Sequence, residues 1–145
     1  MESTEIPGTA TVAERYGAAW NAHDLDAIMA LQGTDMVFRL HAAGFEPAVG
    51  AEAVRWQFAY FFRAWADMHF ETTELSVGDE LFINQYRFHA TLVQPFPLHG
   101  EAVDPGGRVV VDGVDVITVV DGLVRTKDTY LDTLAMHRML TAGRP

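Results

Sequence analysis

The chain contains no cysteine. That excludes disulfide scaffolds, cysteine-type zinc sites and thiol nucleophiles together, and fits a reducing compartment. Serine occurs only at Ser3 and Ser76, and there is neither a Gly-x-Ser-x-Gly elbow nor a glycine-rich phosphate loop, so covalent serine chemistry and phosphate cradling are not expected. Bases are scarce: ten Lys and Arg stand against twenty acids for a formal net charge of -10, and the arginines scatter from Arg15 to Arg144 without forming a stripe. A field of that sign repels phosphate backbones and anionic headgroups, which disfavours nucleic acid and anionic membrane surfaces as partners, and neither is expected. No apolar run approaches the length of a membrane span, and Met1-Glu2-Ser3-Thr4-Glu5-Ile6 lacks the apolar segment of a signal peptide, so a cytoplasmic protein is expected. Among the six histidines none forms a helical i, i+4 pair or a His-Glu-x-x-His element; no metal and no cofactor are expected.

What is present suits one globular domain spanning residues 1–145, since 49% of the residues are apolar and 21% charged. Thr11-Val12-Ala13-Glu14 has the pattern of a capping box, and Val12, Tyr16, Ala19 and Trp20 follow as one helical stripe. Asp24 can cap a second helix whose Leu25, Ile28 and Met29 face inward before Gly33 stops it, and Met36 to His41 reads as a short strand. After Gly50 a third helix is predicted to run to about Ala66, carrying Val54, Phe58, Phe61, Phe62 and Trp65 on one side and Trp56 and Tyr60 on another. A helix so aromatic all round must be covered or must meet a partner, which suggests a homodimer.

From Met68 onward the period changes to two. Strands are predicted near His69–Val77, Leu81–Val93, Val109–Val120 and Leu123–Leu131, with Gly78-Asp79 and Asp121-Gly122 as hairpin turns. The segment 94–108, with Pro95, Pro97, Pro105, Gly106 and Gly107, reads as a long loop that either covers a pocket mouth or simply connects two strands. Three helices ahead of an antiparallel meander give an α+β class in which the helices pack on one face of a curved sheet.

Residues 14–31, from Glu14-Arg15-Tyr16 through Trp20-Asn21-Ala22-His23-Asp24-Leu25 to Leu31, together with Glu46-Pro47 ahead of Gly50, resemble the ketosteroid isomerase branch of the nuclear-transport-factor-2-like superfamily. Gly113-Val114-Asp115-Val116-Ile117-Thr118 and Asp121-Gly122-Leu123-Val124, leading to Asp132-Thr133-Leu134, resemble that branch and also the SnoaL-like polyketide cyclases. The resemblance implies a cone-shaped half-barrel, a curved, mostly antiparallel sheet with three N-terminal helices over its concave face. It implies that Tyr16 donates a hydrogen bond to a substrate oxygen and that Asp115 acts beside it as a protonated carboxylic acid, the device for which the isomerase is a standard example. At the position of the isomerase's proton-shuttling carboxylate, counting forward from the second helix gives Leu40 and counting back from Glu46-Pro47 gives His41; neither is Asp. Asp132 matches an acid of the cyclases, Asp128 an acid of the limonene epoxide hydrolases of the same fold, and Arg87-Phe88-His89 resembles those hydrolases' Arg-x-Asp pair with His in place of Asp.

The residues themselves leave several alternatives open. Asp115 sits among Val109, Val110, Val111, Val114, Val116, Ile117, Val119 and Val120, so it is either desolvated in the core or turned outward to water. His41 is a candidate general base if it faces inward, and a one-residue slip turns it out. Gln85, Arg87, His89 and Thr91 share one face of their strand, and Asp128, Tyr130 and Asp132 share one face of theirs, opposite Lys127, Thr129 and Leu131. Asp132 can equally cap a C-terminal helix. The pocket is expected to be lined by Trp20, Phe38, Trp56, Tyr60 and Tyr130. The function expected is cofactor-independent proton transfer on a small hydrophobic carbonyl compound, by isomerisation or cyclisation, with Tyr16 and Asp115 holding the oxygen. The alternatives are epoxide hydrolysis through Asp128, Arg87 and His89, or a non-catalytic binding or dimerisation domain.

Overall fold

The computed structural model describes residues 5–143. Helix α1 (Thr9–Asn21) buries Val12, Tyr16 and Trp20 along one stripe. It begins two residues before the capping box: Gly8 is the N-cap and makes no side-chain cap, while the Thr9 hydroxyl donates to the Asp79 carbonyl. Asp24 caps α2 (Leu25–Ala30) as expected, its carboxylate accepting from the Ala27 amide at 3.1 Å. Gly33 does not stop that helix; it lies within strand β1 (Gln32–Leu40), which starts earlier than the apolar pattern indicated. Strand β2 (Ala48–Val49) pairs antiparallel with β1 and leads into α3 (Ala51–Ala64). Helix α3 ends before Trp65, which opens strand β3 (Trp65–Val77).

The meander continues with β4 (Leu81–Leu92), β7 (Arg108–Val120) and β8 (Leu123–Leu131). Asp121 and Gly122 turn the β7–β8 hairpin with positive φ at both residues, the backbone that an Asp-Gly pair tolerates best. Strand β8 then pairs in parallel with β1, so the open six-stranded sheet runs β2-β1-β8-β7-β4-β3. The fold is thus mixed α+β with a mostly antiparallel sheet. Proline and glycine do not make the 94–108 segment a structureless loop. It folds as a small hairpin, β5 (Phe96–Leu98) with β6 (Glu101–Val103), whose Phe96, Leu98 and Val103 are buried. Helix α4 (Thr133–Thr141) closes the described chain. Among the described residues no helix is long and apolar enough to cross a membrane.

One face of the sheet is the core. Phe82, Tyr86, Phe88, Val109, Val111, Ile117 and Val119 point into it, and helices α1 and α3 bring Tyr16, Trp20, Val54 and Phe58 against them. Trp20 is the hub of the aromatic packing, with ring centroids 4.7 Å from Phe58, 5.2 Å from Phe62 and 5.7 Å from Phe70. The opposite face carries the polar members of each alternating strand.

Candidate active site

Two hollows meet on the core face. An almost wholly apolar cavity of about 60 Å3 lies among Trp20, Phe38, Leu40, Phe61, Phe88 and Met136, with Phe96 and Leu98 of the β5–β6 hairpin also lining it. The 94–108 segment therefore supplies part of a pocket wall. Beside it, a cleft of about 460 Å3 opens between α1 and the sheet, lined by Tyr16, Trp20, Asn84 and Asp115. Lys127 lines both.

A β-bulge decides this. On β8, Thr126 pairs with Thr118 but Val124 pairs with Val119, so Arg125 is an extra residue without a partner on β7. A bulge shifts the in-and-out alternation by one. Val124 faces the core, and so do Lys127 and Thr129, while Asp128 and Tyr130 face outward. Lys127, the chain's one lysine, is 4% exposed, and Asp115 is 5% exposed.

Three donors converge on Asp115. Its Oδ1 accepts from the Tyr86 hydroxyl at 2.9 Å and from the Thr129 hydroxyl at 2.8 Å, and its Oδ2 lies 3.5 Å from Lys127 Nζ. Asp115 and Thr129 are paired across β7 and β8. Tyr86 reaches Asp115 diagonally from β4, because the residue opposite it is Gly113: a Cβ there would stand 2.8 Å from Tyr86 Cε1. Lys127 Nζ also sits 4.0 Å above the centre of the Trp20 ring and 5.2 Å from that of Tyr16, contacts in which an aromatic face attracts a cation.

The electrostatics follow from burial. Desolvation lowers the Lys127 ammonium below its ordinary range, and the Asp115 charge and hydrogen bond pull it partly back. Burial, and next to it the Asp115 charge, raise the Tyr86 phenol well above its usual value. Burial likewise raises Tyr16, the nearby Trp20 side chain opposing and Asp115 assisting. Trp20 Nε1 and Asn84 Oδ1 are buried without a hydrogen-bond partner among the described residues.

Several expectations are corrected by this geometry. Tyr16 and Asp115 do border one cleft, but they meet through Lys127. The Tyr16 hydroxyl donates to Gln32 Oε1 at 2.6 Å, and Asp115 accepts rather than donates, since every group facing it brings a proton. Leu40 lines the cavity, whereas His41 lies just past the strand end and bonds Asp128 Oδ1 at 2.7 Å, its ring stacked on Tyr130 at 4.2 Å. Asp128 also accepts from Arg39 at 3.2 Å. Arg87 pairs with Asp112 and His89 with Glu71, because alternation from buried Tyr86 and Phe88 turns both outward. Asp128, Arg87 and His89 each have a separate partner and do not converge. Asp132 caps α4, accepting from the Ala135 amide at 3.0 Å.

Of the predicted pocket residues, Trp20 and Phe38 line the cavity. Trp56 is 64% exposed with its ring stacked on Tyr60, which itself packs behind Phe96, and Tyr130 is 44% exposed on the outer face. The residues missed were Lys127, Tyr86, Thr129 and Gln32. The sequence signal for the site is a lone lysine in a chain otherwise using arginine, on the strand face opposite Asp128 and Tyr130. Among the described residues no group of three or more His, Asp or Glu is placed to hold a metal ion.

Residues 13–126 match the SnoaL-like domain family, and the chain belongs to it. Its architecture is that of the nuclear-transport-factor-2-like fold. A protein from Jannaschia sp. CCS1, described as a SnoaL-like polyketide cyclase, is 21% identical, with 98% of each chain covered and a TM-score of 0.81. A protein from Catenulispora acidiphila DSM 44928 with a ketosteroid isomerase-like fold, solved with trimethylamine, is 13% identical over 91% of this chain and 93% of that one, with a TM-score of 0.74. An LEH-like epoxide hydrolase from M. tuberculosis is 16% identical over 92% of this chain and 89% of that one, with a TM-score of 0.69. Likeness at these identities shows the fold. Comparison with curated proteins finds no match.

Proposed function

We propose that this SnoaL-like chain is a cofactor-independent enzyme that moves a proton on a small hydrophobic carbonyl compound, by isomerisation or aldol-type cyclisation. The observation that carries this reading is the buried Lys127–Asp115 pair, whose lysine lines the apolar cavity while its aspartate lines the adjoining cleft. The pair is net neutral, so it offers no charge to an anionic ligand and suits a neutral one. The Tyr86 and Thr129 hydroxyls are committed to Asp115, which leaves the Lys127 amine as the donor for a carbonyl oxygen. A preplaced donor in a dry site stabilises a developing enolate far more than water does. Asp115 Oδ2 is the proton acceptor, in the role for which the isomerase pattern has Leu40 or His41 here. Tyr16 supports the site from the cleft side, its ring against the ammonium.

The test is hydrogen exchange at the carbon beside the carbonyl. Incubation of butanone or a larger apolar ketone in deuterated water should give enzyme-dependent label by mass spectrometry, lost in Asp115→Asn. Ligand binding with no exchange from any such ketone would leave a non-catalytic binding domain instead. The hydrolase reading has no comparable support, since Asp128, Arg87 and His89 point away from both hollows. The exposed Trp56 supports a homodimer built on α3, which sedimentation of wild type against Trp56→Ser tests.

A further inference from the structure

The proposed reaction leaves one group with more chemistry than hydrogen bonding requires. An arginine or an amide could hold a carbonyl oxygen, yet this chain places its one primary side-chain amine there. We propose that Lys127 is a covalent nucleophile, forming a Schiff base with an aldehyde or ketone lodged in the apolar cavity. The inference rests on the reading of the site as one for carbonyl compounds and names how the carbonyl is activated.

The geometry supports each step. Nζ is at the junction of the two hollows, so a carbonyl carbon can approach from the cavity side while the cleft gives the departing water a way out. The amine lone pair forms the C–N bond as the C=O π pair moves to oxygen, and the resulting carbinolamine loses that oxygen as water. Overall an ammonium and a carbonyl give a protonated imine and one water, with the positive charge conserved. The iminium then stands where the ammonium stood, beside Asp115 and the Trp20 ring, so the neutral pair and the cation–aromatic contact are restored once the imine has formed. The carbon beside the iminium is two bonds from Nζ, and Asp115 Oδ2, 3.5 Å from Nζ, is the carboxylate paired with that nitrogen. An iminium acidifies that position, and the carboxylate takes the proton as the enamine forms. This pairing of a desolvated amine with a nearby base is how lysine becomes a useful nucleophile near neutrality.

A competing role can be separated from this one. Lys127 could hold the oxygen without bonding to carbon; reductive trapping distinguishes the two. Full-length protein is incubated with butanal and sodium cyanoborohydride, with Nα-acetyl-lysine in the same tube as the reference amine, and the label is located by peptide mapping, which separates Lys127 from the α-amine. A free lysine is almost entirely protonated at neutral pH, and burial, which lowers the affinity of Lys127 for the proton, raises its reactive fraction. Lys127 should therefore label faster than acetyl-lysine in the folded protein, and added butanone should slow the labelling by competition. The inference is overturned if Lys127 is labelled only after unfolding in urea, or no faster than the reference. Because wild type is used, no variant has to fold. Trapping without deuterium exchange would keep the Schiff base and remove the proton-transfer reading. Exchange without trapping would do the reverse.

Discussion

Lys127 and Asp128 are consecutive in the chain and lie on opposite faces of β8, one against the Trp20 ring and the other between Arg39 and His41. The outer cluster is solvent-accessible, and exposed pairs of this kind contribute about 0–1 kcal/mol. Asp128→Asn should accordingly shift urea unfolding by about 1 kcal/mol or less and leave ketone deuterium exchange at the wild-type rate. A large loss of exchange in this variant would relocate the chemistry to the outer face.

The buried pair should behave oppositely. Removing one member of a desolvated ion pair strands the other, at a cost of about 3–5 kcal/mol. Asp115→Asn and Lys127→Met should each be strongly destabilised in denaturant titrations, and the double variant should lose less than the sum of the two single losses, by about 0.5–3 kcal/mol. Additive losses would show that the two charges are not coupled.

Alkaline pH separates the tyrosines from the lysine. Burial raises Tyr16 and Tyr86 above the ordinary 10.0, so the folded chain keeps protons that the unfolded chain releases. Their contribution to stability is fully present below pH 10.0 and is lost as pH climbs through the folded values. Lys127, lowered from 10.5, has the other sign: the folded chain sheds this proton first, so stability rises with pH as it titrates and levels off above 10.5. Tyr16→Phe and Tyr86→Phe should leave the tyrosinate absorbance of the folded protein unchanged up to the unfolding transition. A drop in that absorbance before unfolding would show that the missing phenol had been ionising in the native state.

Gly113 is needed for close approach. A Cβ there would be 2.8 Å from both Leu131 Cδ2 and Tyr86 Cε1. Gly113→Ala should cost about 1–3 kcal/mol, the range for overpacking a filled core, and should reduce deuterium exchange by pushing the Tyr86 hydroxyl off Asp115. Unchanged stability would mean that the ring can lean away without loss.

The strand positions were readable because β4 and β7 alternate cleanly: Phe82, Tyr86 and Phe88 mark one inner face, and Val109, Val111, Ile117 and Val119 carry Asp115 inward with them. The same rule grouped Asp128 with Tyr130 correctly but could not say which side they occupy. Carried on from Val124 it turns them inward, and the unpaired Arg125 reverses it. A single-residue bulge has no hydrophobic signature, so the inward facing of Lys127 is not legible in the sequence. The hairpin at 96–103 was hidden for a related reason. Its proline- and glycine-rich composition marks turns, and it is burial of Phe96 and Leu98 against a distant helix, a tertiary effect, that makes it part of the cavity wall.

A chain whose one side-chain amine lies under an indole ring has an unusual chemical surface. Ester-type crosslinkers, acetylating reagents and lysine-directed dyes find no lysine on the folded exterior, and a protease that cuts after lysine has its one such bond inside a paired strand. Modification at residue 127 by a bulky acylating reagent would thus report how often the core face of β8 opens, turning one side chain into a native clock for local unfolding.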